Sequence, residues 1–81
     1  MSAGNWTQWT DDVLESLKLM GLEVGSEFDL DFAYRAENLL SRIHPKNNHI
    51  QAKIRQQLQI LQEFGYVRFI DNAGNYEMIK I

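Results

Sequence analysis

Cationic and amide side chains accumulate in one stretch of the chain, HPKNNHIQAKIRQQLQ, which covers residues 44–59. This stretch has no carboxylate, six side-chain amides and three Lys or Arg residues, although the 81-residue chain carries a formal net charge of -3. Asn and Gln side chains can pair with the adenine edge in the DNA major groove, whereas Arg and Lys bind guanine or phosphate. The stretch therefore predicts contact with a nucleic acid.

The charge is unevenly distributed along the chain. The basic segment, residues 38–62, has no acid and four bases, whereas the other residues contain all eleven acids and the four remaining bases. The four bases of the basic segment are Arg42, Lys46, Lys53 and Arg55. A local positive surface can attract a polyanion even when the rest of the protein is acidic.

Other kinds of chemistry have little support in the sequence. The absence of cysteine excludes disulfides, thiolate zinc sites and cysteine nucleophiles. His44 and His49 have no carboxylate nearby in sequence, so a metal site is not expected. No nucleophile motif and no glycine-rich phosphate loop are present. We therefore expect neither an enzyme nor a bound cofactor.

Two helices are predicted before the stretch of interest. Thr10 is the expected cap of the first, in which Val13, Leu14, Leu17 and Met20 form an apolar stripe that Gly21 ends. Asp29 is the expected cap of the second, which covers DLDFAYRAENLLSRI and stops before Pro45. Its apolar side is predicted to contain Leu30, Ala33, Tyr34, Leu40 and Ile43.

A third helix is predicted to begin after Asn48 as its cap, with Gln51 at the capping-box position. Its apolar face contains Ile50, Ile54, Leu58 and Leu61, and Gly65 ends it. The short connection makes the second and third helices a helix-turn-helix pair.

The final part of the chain changes to a period of two. YVRFI and YEMIKI alternate around DNAGN, which predicts a β-hairpin, and Phe28 is a candidate for a short third strand. Three helices and a hairpin predict a mainly α winged helix-turn-helix domain, over residues 10–81, after an N-terminal extension of residues 1–9. Trp6 and Trp9 are expected to cover the core rather than to form a primary site.

A helical wheel places Ala52 at the centre of the exposed face of the third helix. Amides and cations surround it, as a major-groove reader requires. Any amphipathic helix has a polar outer face, however, so a winged helix that binds protein is the alternative. The predicted DNA-binding residues of the helix, the preceding turn and the wing are Lys46, Asn47, Asn48, His49, Gln51, Ala52, Lys53, Arg55, Gln56, Arg68, Asn72 and Asn75.

The segments WTDDVL and HPKNNHIQAKIRQQLQILQEFG, with the aromatic hairpin, carry a resemblance to a known family. They resemble the C-terminal winged-helix domain of the Dam-replacing, DpnI-type restriction endonucleases, which cleave DNA with 6-methyladenine at GATC sites. The most specific part is KIRQQLQ, residues 53–59, preceded by HPKN, residues 44–47. The chain departs from the family at Gln51, near Gln62 and in the wing, where relatives are more basic.

The resemblance implies a domain that reads 6-methyladenine in GATC-like duplex DNA through the third helix, with the wing on the backbone. The family's nuclease domain is absent here, so neither cleavage nor its magnesium sites carry over. Expected partners are methylated double-stranded DNA and a fused or separate nuclease domain. We expect a cytoplasmic monomer of prokaryotic or phage origin that does not enter a membrane.

Overall fold

The first helix begins earlier than the sequence predicts. In the computed structural model, which describes residues 4–71 and 73–81, α1 spans Gln8–Leu19 with Thr7 at the N-cap position. The prediction of Thr10 as the cap was wrong: Thr10 lies in the first turn, where its Oγ1 accepts the backbone N–H of Thr7 at 3.0 Å. Such a return from the third helical residue to the cap is one half of a capping box.

The apolar stripe of α1 packs as predicted over most of its length. Val13, Leu14 and Leu17 are buried, whereas Met20 is half-buried. Gly21 follows the helix with a φ of +97°, a conformation that glycine adopts without a steric penalty.

The predicted second helix consists of two shorter ones, α2 (Leu30–Tyr34) and α3 (Glu37–Ile43). Asp29 caps α2 as predicted, because its carboxylate accepts the backbone N–H of Phe32 at 2.7 Å. Between the two helices, the Ala36 N–H donates to the Ala33 carbonyl, a tighter turn that brings both alanines into the core. The break changes the helical phase, and Ile43, predicted to face inward, is 55% exposed.

The predicted third helix is α4, which spans Ile50–Glu63. All four predicted core residues are buried, namely Ile50, Ile54, Leu58 and Leu61. Gly65 follows the helix with a φ of +81°. The prediction that Asn48 caps this helix was wrong, since His49 occupies the N-cap position and the Gln51 side chain donates instead to the Glu37 carboxylate at 3.2 Å.

A three-stranded antiparallel sheet completes the winged helix. Its order is β1 (Glu27–Asp29), β3 (Asn75–Met78) and β2 (Val67–Phe69), so the strand predicted around Phe28 is confirmed. Phe28 and Phe69 both pair with Tyr76, and Val67 pairs with Met78. These five side chains share the sheet face that packs on the helices. The other face has polar side chains, among them Glu27, Arg68, Asn75 and Glu77.

The N-terminal segment before α1 contacts the folded domain. The Trp6 ring lies 5.3 Å from the Phe64 ring and 5.0 Å from the Tyr66 ring, measured between centroids. Trp6 therefore covers part of the core, as expected. No helix in the part of the chain that the structure describes is long and apolar enough to span a bilayer.

One buried polar contact joins α1 to α4. The Thr10 hydroxyl donates to the Gln57 side-chain carbonyl at 2.6 Å, and both residues are almost completely buried. Gln57 follows Ile50 by seven residues and Ile54 by three, so this polar residue lies on the apolar stripe of α4. Its amide is tolerated there because Thr10 provides the partner.

Substitution of Gln57 by Ala tests this contact. We expect the free energy of unfolding to fall by about 2 kcal/mol, because the Thr10 hydroxyl would be left buried without its acceptor. Urea denaturation followed by tryptophan fluorescence measures the change. The neighbouring Gln56→Ala is the matched control, since Gln56 is exposed and its loss should alter stability by no more than about 0.5 kcal/mol. Equal effects of the two substitutions would contradict the assignment.

Candidate nucleic-acid interface

The outward side of α4 has the composition that the helical wheel predicts. Gln51, Ala52, Arg55, Gln56 and Gln59 are exposed, and Lys53 is half-buried at the margin. Glu63, the last residue of the helix, is its only acid. This surface therefore offers amide donors and acceptors around a methyl-sized side chain, with cations at its edges.

Two depressions lie on either side of Ala52. The helix recess, of about 440 Å³, is lined by Asn47, His49, Ala52, Lys53 and Gln56. The wing cleft, of about 450 Å³, is lined by Ala52, Arg55, Gln56, Gln59, Phe69 and Tyr76. Ala52 and Gln56 belong to both, so a ligand lying along α4 can reach the two depressions together.

The turn between α3 and α4 presents further polar groups beside the helix recess. The Asn47 side-chain oxygen accepts the backbone N–H of His49 at 2.7 Å, and the Asn47 N–H donates to the His44 carbonyl at 3.1 Å. Asn47 thus closes an Asx turn just before α4, and no side chain caps the helix itself. Lys46, Asn48 and His49 are left exposed on the same turn.

His44 connects this turn to α1. Its Nε2 lies 2.7 Å from Asp12 Oδ2, and its ring stacks on Trp9 with 3.8 Å between the ring centroids. The Lys53 ammonium in turn lies 5.7 Å from the centroid of the Trp9 indole. The contacts hold the start of the basic turn against α1 and place Trp9 next to the cationic margin of α4.

The structure brings most of the predicted site residues together and separates others. Lys46, Asn47, Asn48, His49, Ala52, Lys53, Arg55 and Gln56 lie on α4 or on the turn that leads into it. Gln51 is also on α4, but its amide is engaged by Glu37. Arg68 and Asn75 lie on the sheet face that points away from α4, and Asn72 is outside the described residues.

Arg68 and Asn75 are engaged by acidic partners. Arg68 Nε donates to Glu77 Oε1 at 3.0 Å, directly across the two strands. Asn75 Nδ2 donates to the Asp71 carboxylate, and that hydrogen bond is the largest cause of the lowered pKa of Asp71. Both side chains therefore contribute to the conformation of the hairpin.

Several side chains at or beside this surface, including the exposed Gln59 of α4, were not among the predicted site residues. Phe69 and Tyr76 line the wing cleft, and Asp12 and Trp9 hold the turn. The alternation of β2 and β3 places Phe69 and Tyr76 on one sheet face, but only the packing of that face beside Ala52 shows that they border the site. Sequence spacing could not pair Asp12 with His44, because the two residues are far apart along the chain.

Three cations of the basic segment, Lys46, Lys53 and Arg55, form no ion pair with the described residues and are available to bind an external anion. Within residues 4–71 and 73–81, three acid–base contacts are found, the ion pairs Lys18–Glu15 and Arg68–Glu77 and the hydrogen-bonded pair His44–Asp12. None of them involves Lys46, Lys53 or Arg55. An unneutralised cation on an exposed helix face is suited to an external anion such as phosphate.

A model of the Dam-replacing HTH domain family matches residues 5–78. The chain belongs to this family. The match includes all four helices and all three strands, so it agrees with the helix-turn-helix reading of α2 to α4 and with the resemblance seen in the sequence. A Dam-replacing HTH domain is a binding domain rather than a catalytic one, and the assignment indicates DNA as its partner.

The role of His44 in this HTH domain can be measured. His44→Ala removes the hydrogen bond to Asp12 and the stack on Trp9, and should lower the free energy of unfolding by about 1–3 kcal/mol. We also expect faster amide exchange at residues 46–49, because the turn loses its attachment to α1. His49→Ala is the control, since the His49 side chain is exposed and accepts no capping hydrogen bond from α4. Unchanged exchange in His44→Ala would show that the turn is held by other contacts.

Proposed function

We propose that this HTH domain reads 6-methyladenine in GATC-like duplex DNA, with α4 in the major groove. The observation that carries the proposal is the helix recess, where the small Ala52 side chain lies among the polar residues Asn47, His49, Lys53 and Gln56. An apolar spot that is surrounded by amides and a cation, with no acid in its lining, matches a methylated base edge on a polyanion.

The chemistry of the methylated base supports this choice. Methylation at N6 replaces the hydrogen that projects into the major groove, while the other N6 hydrogen remains in the base pair. The reader therefore needs a methyl-sized apolar contact, for which Ala52 is suitable, and a donor to adenine N7, for which the Gln56 or Asn48 amide is suitable. Burial of one methyl group contributes about 1 kcal/mol, which corresponds to a preference of roughly fivefold for each methyl group.

Titration with three otherwise identical duplexes tests the proposal. The duplexes contain one GATC site with no, one or two methylated adenines, and each is titrated at two salt concentrations. We expect affinity to rise with each methyl group. Equal affinity for all three would overturn methyl reading, while no binding to any duplex at low salt would favour a protein-interaction module. Incubation with magnesium should leave the methylated duplex uncut.

The position of the methyl contact is tested by Ala52→Glu. The larger, anionic side chain would fill the helix recess and repel phosphate, so we expect loss of both affinity and methyl preference. Leu19→Glu introduces the same charge at an exposed position of α1 that lines neither depression, and should bind like the parent. Gln56→Ala should reduce the adenine preference while retaining salt-dependent binding. If Ala52→Glu binds as tightly as the parent, α4 does not face the bases.

The electrostatic contribution of the turn is tested by Lys46→Ala. Loss of one phosphate contact should weaken binding to every duplex alike and reduce the slope of log affinity against log salt by about 1. Lys53→Ala should behave in the same way. Lys18→Ala is the matched control, because Lys18 lies on α1 in an ion pair with Glu15. An unchanged slope in Lys46→Ala would place the turn away from the backbone.

A further inference from the structure

The wing cleft combines groups that differ from those of the helix recess. Its walls are the outer face of α4 on one side and the rings of Phe69 and Tyr76 on the other, with those ring centroids 5.0 Å apart. Arg55 stands at the edge of the cleft and also lines the adjoining depression toward the hairpin turn. An aromatic wall next to a guanidinium is suited to a ligand with one apolar part and one anionic part.

The position of the cleft restricts what that ligand can be. When a helix lies in the major groove and the adjacent hairpin lies outside it, one DNA strand passes between the two elements. The part of that strand that faces the wing cleft is its sugar–phosphate backbone, since the base edges are turned toward α4. A deoxyribose is apolar on its faces and its phosphate is anionic, which matches the two kinds of group in the wing cleft.

We propose that the wing cleft holds one deoxyribose–phosphate unit, with the sugar on the Phe69 ring and the phosphate accepting hydrogen bonds from the Arg55 guanidinium and the Tyr76 hydroxyl. This inference rests on the proposed docking of α4 in the major groove. Phe69 and Tyr76 are then DNA-binding residues. The wing contacts the DNA backbone through the sheet face that carries these two rings, rather than through the outer face with Arg68 and Asn75.

The state of the Tyr76 phenol agrees with a donor role. Burial is the largest cause of a raised pKa for Tyr76, and the nearby Arg55 charge opposes it only in part. Since the ordinary pKa of tyrosine is about 10, the hydroxyl keeps its proton at neutral pH and can donate it in a hydrogen bond to phosphate. Arg55 takes part in none of the three acid–base contacts of the described residues, so its charge is available for the same phosphate.

The surroundings define which side of Arg55 the phosphate occupies. Asp71 lines the adjoining depression together with Arg55, Phe69 and Tyr76, and its carboxylate would repel an anion there. Ala52, Gln56 and Gln59 line the wing cleft on the α4 side and carry no negative charge. On the outer sheet face, Arg68 is already paired with Glu77. The phosphate is therefore expected on the side of Arg55 that faces the wing cleft, away from Asp71.

A methylphosphonate scan tests the proposal with the full 81-residue chain. In a series of methylated GATC duplexes, each phosphate near the site is replaced in turn by a neutral methylphosphonate, and affinity is measured for the parent and for Tyr76→Phe. Tyr76→Phe keeps the ring and removes only the hydroxyl. We expect it to weaken binding to the unmodified duplex by about tenfold, the usual scale for a hydrogen bond to a charged group. At one phosphate position, the methylphosphonate should clearly lower the affinity of the parent for the duplex and should lower that of Tyr76→Phe much less.

Further variants separate the possible outcomes. The affinity of Arg55→Gln should no longer respond to methylphosphonate at the same phosphate position. Tyr66→Phe, on the Trp6 side of the domain, should behave like the parent. If Tyr76→Phe and Arg55→Gln respond to every methylphosphonate as the parent does, the sugar–phosphate site is wrong even though methyl preference persists. If the parent binds no duplex, the proposed function fails and this inference fails with it.

Discussion

The burial of one side of α4 is the constraint on which the whole interface depends. Ile50, Ile54, Leu58 and Leu61 pack into the core, and Gln57 joins them through its hydrogen bond to Thr10. Because a helix is rigid and its side chains point in fixed directions, burying this stripe also fixes the opposite side. Ala52, Arg55 and Gln56 face outward as a consequence of what is buried behind them, and the two depressions follow from that orientation.

An acidic protein can present such a surface because its charges are segregated in space as well as in sequence. The carboxylates of Glu27 and Glu77 lie on the outer face of the sheet, away from α4, and Glu77 neutralises Arg68 there. Asp12 is an acid close to the interface, but it is paired with His44. No acid lines the helix recess, whereas Asp71 lies beside Arg55 and Glu37 contacts Gln51, so the attraction of an anion is least opposed at the recess. The net charge of -3 weakens attraction at long range.

Regular periodicity predicted the elements well and their ends poorly. The winged-helix order, the hairpin, the strand at Phe28, the Asp29 cap and the glycines after α1 and α4 were all predicted correctly. The caps at Thr10 and Asn48 were wrong because several cap-forming residues occur close together, and only the backbone path places Thr7 at the N-cap position of α1 and His49 at that of α4. The division of the second helix was missed because no proline or glycine marks it; alanines at 33 and 36 permit the tight turn.

Spacing along the chain was sufficient to identify α4 as the helix with the informative surface, because its apolar period and its lack of acids before Glu63 are local properties. Packing between distant segments was needed for everything that borders this surface. The contact of Asp12 with His44, the position of Phe69 and Tyr76 beside Ala52, and the burial of Gln57 all join residues that are far apart in sequence. Local pattern determines which face a residue occupies on its own element, whereas its neighbours across the core depend on how the elements pack together.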